Sequence, residues 1–332
     1  MISTEPRFLL LGVALATLAG AAGCRTQPSG SPPTRPQTAA WPRTFTDALG
    51  DAVTLAAAPK RIVSLSPAVT EMVFAVGAGD RLVGVTEYCD YPPEAAKLPQ
   101  VGAYTGFSVE RVLALRPDVV IGMRGTSKEA VTALRQAGVP TLTYDPIRVQ
   151  DVLALMDELA GMILDSRQEP ETVAQLRGRV EAVESQAARL PRRPRVLCAV
   201  QIEPLYAAGP DNHIDDLIRL AGGENAAGDA DIPWPQYSLE RMLEKDPEVI
   251  VVPIGYMGGE DEPGGGASRA LKASKAWAGT TAVKRGAIAE IPDDLLTLPG
   301  PRIVDGLETI AAAVRRAATA PNASRQDGPS GR

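Results

Sequence analysis

Residues 168–190 read QEPETVAQLRGRVEAVESQAARL. Val173, Leu176, Val180, Val183, Ala187 and Leu190 recur at steps of three and four, the spacing that gathers apolar side chains on one helix face. Pro170 suits a first turn, where no amide donor is asked of it. The run Arg189-Leu-Pro-Arg-Arg-Pro-Arg195 ends the helix, with cations at the negative pole of its dipole and prolines that forbid continuation. The spacing thus predicts one long helix with no partner strand of its own.

One segment occurs on each side of this helix. SVERVLALRPDVVI spans 108–121 and SLERMLEKDPEVIV spans 238–251. Each reads as a serine-capped short helix with a glutamate in its first turn, a proline stop, an acid, and then a buried β-branched strand. Two similar lobes joined by a helical strut follow from that repeat. Around it, short apolar strands alternate with helices: strands at 61–65, 82–86, 141–144, 195–200 and 287–291, helices at 66–76, 128–137, 149–163, 214–220 and 301–316. The fold class expected is α/β, two lobes each with a mainly parallel sheet flanked by helices.

With 332 residues, 45% apolar and 22% charged, the chain has material for two ordinary domains. A net charge of −6 argues against a nucleic-acid partner, which asks for a concentrated basic face. At the start, Arg7 precedes the apolar run Phe8–Ala19, too short and small-sided to span a membrane, and Ala21-Ala-Gly-Cys24 resembles a bacterial lipobox. The organisation expected is therefore a lipoprotein signal at 1–24 with Cys24 as lipidation site, and plain secretion as the alternative. A Pro/Ser/Thr-rich tether follows at 25–44, then an N-terminal lobe at 45–166, the linker helix at 167–191, a C-terminal lobe at 192–318 and a frayed tail at 319–332. Cys89 and Cys198 read as an unpaired loop thiol and a buried strand residue.

In open α/β sheets the ligand site lies beyond the carboxyl ends of the strands, so two facing lobes make the cleft between them the expected pocket. Loops after strands carry Tyr88, Tyr91, Tyr104, Phe107, Met123, Arg124, Tyr206, Trp234, Tyr256 and Asp294. In a chain that is only 4% aromatic, this grouping suggests a flat apolar guest. Several of these side chains are expected to pack under loops instead, and Trp41 in the tether and Trp277 in a helical stretch read as packing residues. Catalytic and metal-ligating patterns are missing: there is one histidine, His213, read as a surface or capping residue in a turn, and no phosphate loop. Glu110 and Glu240 each fall in the first turn of a helix, where a negative charge gains roughly 0.3–1 kcal/mol. Placed alike on two lobes, they would also present a pair of acids to a two-fold symmetric partner.

The mature body resembles the substrate-binding proteins of ABC importers that carry corrinoids, iron siderophores and haem. The residues that carry the resemblance run from Phe45-Thr-Asp-Ala-Leu-Gly50 through Pro59-Lys-Arg-Ile-Val-Ser-Leu-Ser-Pro67 and Thr70-Glu71 to Lys284-Arg-Gly286. It is most similar to the cobalamin-binding members, through Tyr88-Cys-Asp-Tyr-Pro-Pro93, Met123-Arg124-Gly125, Gly222-Gly-Glu-Asn225 and Pro233-Trp-Pro-Gln236. The resemblance implies a long helix between rigid lobes. It also implies that Tyr88, Tyr104, Met123, Tyr206, Trp234 and Asp294 line a corrinoid pocket, and that Glu110 and Glu240 dock onto arginines of a permease dimer. Tyr104 and Met123 stand where the cobalamin binders carry tryptophan, Val200 and Leu295 replace aromatics, and the disulfide cysteines have no counterpart.

The function expected is that of a monomeric, lipid-anchored receptor on the outer side of a bacterial membrane, with no enzymatic activity and no prosthetic group. It would capture cobalamin in the cleft and deliver it to an ABC importer. An iron-siderophore or haem receptor is the alternative, with Arg124 the obvious cation for an anionic chelate. An enzyme or metal-insertion protein on the same fold is the third reading. A single connecting helix resists hinge bending, so little change is expected between empty and loaded forms.

Overall fold

The computed structural model describes residues 40–255 and 266–320. The signal segment with Cys24, the tether up to residue 39, Tyr256, the glycine-rich run up to residue 265 and the tail from 321 lie outside the described residues.

The N-terminal lobe runs β1 (Arg43–Thr46), β2 (Ala52–Leu55), β3 (Ile62–Ser64), α1 (Pro67–Ala75), β4 (Leu82–Gly84), α2 (Val109–Ala114), β5 (Val119–Met123), α3 (Lys128–Gln136), β6 (Thr141–Tyr144) and α4 (Val149–Ile163). The connecting helix is α5 (Glu171–Ala187). The C-terminal lobe runs β7 (Arg195–Gln201), β8 (Tyr206–Ala207), α6 (His213–Leu220), β9 (Glu224–Asn225), α7 (Leu239–Lys245), β10 (Val249–Ile254), α8 (Gly266–Ala273), α9 (Thr281–Arg285), β11 (Ile288–Pro292), α10 (Asp293–Leu296) and α11 (Ile303–Thr319).

The first lobe holds a four-stranded sheet in the order β4-β3-β5-β6, parallel throughout. In the second, β11, β10, β7 and β9 pair in parallel and β8 folds back antiparallel on β7. Every residue of β5 is buried, and so are the first five of β10, because helices cover both faces of each sheet. β1 and β2 form a separate antiparallel hairpin that joins the first lobe through Ala48 N–H to the Thr143 carbonyl. The folded body therefore begins before residue 44: Trp41 sits under the Arg43 guanidinium at 4.4 Å and donates to Asp165. At the other end, α11 runs one residue into the segment expected as tail.

The repeat is real and goes deeper than its spacing. Ser108 Oγ accepts from Arg111 N–H, and Ser238 Oγ from Glu240 and Arg241 N–H. Each helix ends at a residue of positive φ just before the proline, Arg116 (47°) and Asp246 (43°). The carbonyls freed there are taken by an arginine from the next strand over. Arg61 reaches the Leu115 and Arg116 carbonyls at 2.6 and 3.1 Å, and Arg195 reaches those of Lys245 and Asp246 at 2.6 and 2.9 Å. The acid after each proline closes the clasp: Asp118 accepts from Arg61 N–H at 2.9 Å and Glu248 from Arg195 N–H at 3.2 Å.

α5 is three residues shorter at each end than the stretch 168–190, and Pro170 stands just outside it at the cap position. Val173, Leu176, Val180 and Val183 are buried, against α4 on the first lobe and α6 and α11 on the second. Its polar flanks are pinned both ways, Arg177 to Asp157 of α4 at 3.0 Å and Arg179 to Asp305 and Glu308 of α11 at 2.6 and 2.7 Å. Gly222, at φ +82°, ends α6 against the end of α5; a Cβ there would lie 2.9 Å from Leu190 and 3.0 Å from Ala187. One apolar cluster runs unbroken from Ile62 and Ile121 through α4 and α5 to Val196, Val251 and α11. The strut is thus packed into both lobes. Trp277 is buried in a smaller cluster of the second lobe, as its packing role requires.

Candidate functional site

The expected residues gather in three groups at the carboxyl ends of the parallel strands. In the first, Tyr104 donates its hydroxyl to the Arg124 carbonyl, just past the end of β5. Gly125 permits this: its φ is +93°, and a Cβ there would stand 2.8 Å from the Tyr104 oxygen. Burial raises the pKa of Tyr104, so the hydroxyl remains a donor across the physiological range. Arg124 is 75% exposed and its guanidinium gives a 2.8 Å bond to Asp145, at the end of β6.

The second group joins the lobes. Glu71, in α1 of the first lobe, is buried and accepts a two-pronged pair of bonds from Arg302, at the head of α11 in the second, at 2.9 and 2.6 Å. A third nitrogen of Arg302 donates to Asp294, whose side chain is 43% exposed. The same guanidinium lies 4.0 Å from the ring centre of Tyr91, in the loop after β4. Burial pushes the Glu71 carboxyl up, and the Arg302 fork works against that. Two carboxylates thus surround one guanidinium, leaving an excess of negative charge here.

In the third group, the chain from Ile232 to Pro235 is strapped to the turn before α6: Gly209 N–H and Asn212 Nδ2 both donate to the Pro233 carbonyl, at 2.9 and 2.8 Å. This holds Trp234 in the open, with its ring centre 5.8 Å from that of His213. Tyr206 stands half-buried beside this strap, bridged to Gln236.

His213 departs from expectation. It is buried rather than exposed, and the cap of α6 is Asn212, whose Oδ1 takes the Ile214 and Asp215 amides at 3.0 Å each. Burial lowers its pKa to about 4, against hydrogen bonds to the Leu296 and Thr297 carbonyls, and among the described residues Nε2 has no partner. Met123 departs too. It is 5% exposed and belongs to the large apolar cluster, because β5 is a central strand covered on both faces. Phe107 is likewise core, whereas Tyr88 and Tyr91 are both 46% exposed. Glu71, Arg302 and Asp145 were not among the expected site residues. A glutamate amid the apolar run of α1 was the available signal, since such a charge needs a partner.

Among the described residues no cluster of three histidine, cysteine or acidic side chains could hold a metal. An open hollow lined by Asp51, Thr54, Thr132, Arg135 and Pro140 lies at the opposite, amino-terminal end of β6, away from all three groups. Glu110 and Glu240 are both exposed, each one residue inside a serine-capped helix. Helices that connect parallel strands run against them, so both acids stand on the side of the strand carboxyl ends. Glu110 accepts from Ser108 Oγ at 2.8 Å, which holds its carboxyl below the usual range.

A family model described as periplasmic binding protein matches residues 62–295. The vitamin B12-binding protein of Yersinia pseudotuberculosis serotype O:3 (strain YPIII) is 35% identical over 198 residues, 59% of this chain and 70% of that protein. The structure of the periplasmic vitamin B12 binding protein BtuF of Vibrio cholerae is 27% identical, with 79% of this chain and 99% of that one covered at a TM-score of 0.67. The periplasmic heme-binding protein RhuT from Roseiflexus sp. RS-1 is 30% identical, with 78% and 99% covered at 0.65. With two helix-linked α/β lobes and a match across most of its folded body, the chain belongs to the periplasmic binding protein family, in the class that includes vitamin B12, haem and ferric hydroxamate binding proteins.

Proposed function

We propose that this protein captures a corrinoid, of the cobalamin type, between its lobes and delivers it to an ABC importer. The observation that carries the choice of ligand is electrostatic. The arginines that touch the expected site residues are already committed: Arg124 to Asp145, and Arg302 to Glu71 and Asp294. A guest bearing carboxylates would have to displace those partners or face their charge, whereas neutral amide groups can donate to them. Exposed Tyr88, Tyr91 and Trp234 supply flat apolar area. The 35% identity to vitamin B12-binding proteins supports the same reading. Haem is the second reading, favoured by the haem-binding neighbours; exposed Arg148, in the loop after β6, is the cation it would use.

Parallel titrations of the purified protein with cyanocobalamin, haemin and a ferric hydroxamate, followed by absorbance or calorimetry, test the choice. Saturable binding of cyanocobalamin in preference to the other two is expected. Preference for haemin would move the assignment to the second reading. Cys24 is proposed as the lipid attachment point; intact-mass analysis of membrane-extracted protein would show a diacylglyceryl adduct there, and a Cys24→Ser chain would leave the membrane fraction.

A further inference from the structure

We infer that Tyr91 is a ligand-stacking residue of the cleft and that Arg302, reaching from the opposite lobe, is the residue that positions it. The inference rests on the binding-protein reading above and adds to it a contact surface that neither lobe completes alone. Tyr91 belongs to the first lobe and is 46% exposed, unlike Phe107 and Tyr237, which the core encloses. One face of its ring is covered by the Arg302 guanidinium at 4.0 Å.

A guanidinium is planar, with all of its N–H donors in that plane. Three of its nitrogens, on its edges, are held by Glu71 and Asp294. One of its two faces lies on Tyr91. Arg302 cannot swing off the ring without breaking charge-assisted bonds to a buried carboxylate, so the ring is braced from one side by a group that is itself clamped. The uncovered part of Tyr91 stands at the strand carboxyl ends, in the same loop as exposed Tyr88 and within one arginine of half-exposed Asp294. A flat conjugated ring system with amide arms fits this chemistry: the ring stacks on Tyr91, and an amide N–H reaches Asp294. The glutamate sits on one lobe and the arginine on the other, so the platform reports whether the lobes are correctly apposed.

The test is a double-mutant cycle read by absorbance titration with cyanocobalamin, on chains whose near-ultraviolet circular dichroism matches the parent. Tyr91→Ala is expected to weaken binding about tenfold, equivalent to about 1.4 kcal/mol, and Tyr91→Phe, which keeps the ring, to recover most of that loss. Arg302→Met is made together with Glu71→Gln, so that no buried charge is left unpaired. This paired variant is expected to weaken binding severalfold in the parent and to add nothing on top of Tyr91→Ala. Losses that multiply would overturn the positioning role of Arg302, and undiminished affinity in Tyr91→Ala would overturn the stacking role. If the parent takes haemin or ferric hydroxamate instead, the same cycle is read with that probe and the same outcomes decide. Failure of the parent to bind any of the three would overturn the ligand proposed above, and the Tyr91 assignment with it.

Discussion

His213 is a base that the fold holds neutral. With an ordinary pKa of 6.5 and a buried value of about 4, it is uncharged in both folded and unfolded chains above pH 6.5, and there its full contribution is present. As pH falls from 6.5 toward 4, the unfolded chain takes up a proton that the fold refuses, so stability is lost, by up to about 3 kcal/mol. Urea midpoints measured at pH 7 and pH 4.5 should therefore differ more for the parent than for His213→Gln. Arg302 poses the opposite problem. Its replacement by methionine alone strands Glu71 as a buried unpaired acid, which costs roughly 3–5 kcal/mol. Adding Glu71→Gln should restore most of the denaturation midpoint. Neither residue was legible as it stands. A histidine after Asp211-Asn212 looks like a turn residue, and the groups found against it, the Leu296 and Thr297 carbonyls and the Trp234 ring, come from distant parts of the chain. Arg302 reads as an ordinary helix start because its partner lies 231 residues away. Met123 misled for a related reason: its place at a strand end is visible in sequence, but the cover over that end is not.

At the scale of elements, most of the fold was legible. β6 and α4 begin and end where their patterns do, since a four-residue run of β-branched, aliphatic and aromatic residues and an amphipathic helix each carry their own boundaries. α5 lost its ends because the 3.6-residue rhythm continues into Leu190 after the last hydrogen-bonded turn has closed. The paired helices α2 and α7 carry the proposal for transport. Each offers one exposed glutamate from a serine-capped first turn, on the side where the strands finish. Replacing Glu110 and Glu240 together by alanine should leave ligand affinity unchanged and reduce uptake in cells that express the cognate importer, measured with radiolabelled ligand. Each single change should give a smaller loss, as expected if one acid meets each half of a symmetric permease.

For the molecule as a whole, the lobes are tied by more than α5. The Glu71–Arg302 fork crosses between them, and so does the 2.9 Å bond from Val149 N–H at the head of α4 to the buried Asp216 of α6. One apolar cluster passes through all of these elements. Lobes joined this way rock little, so small-angle X-ray scattering should return the same radius of gyration with and without ligand. A clear contraction on loading would contradict that expectation. The same continuity explains why the two-lobed plan could be read from a repeat and a helix, while the ties between lobes could not. Each tie pairs residues from distant segments that follow no local period.

Cys89 lies buried with its sulfur between the Thr70 and Thr86 hydroxyls, at 3.2 Å from each, and Cys198 is a free, fully buried cysteine in the centre of β7. Burial raises the pKa of both thiols, so neither supplies much thiolate, the form that oxidants attack. The folded body therefore has no need of an oxidising compartment to reach or hold its shape. Its melting temperature should be the same with and without dithiothreitol, and a reducing cytosol should serve to produce it in native form.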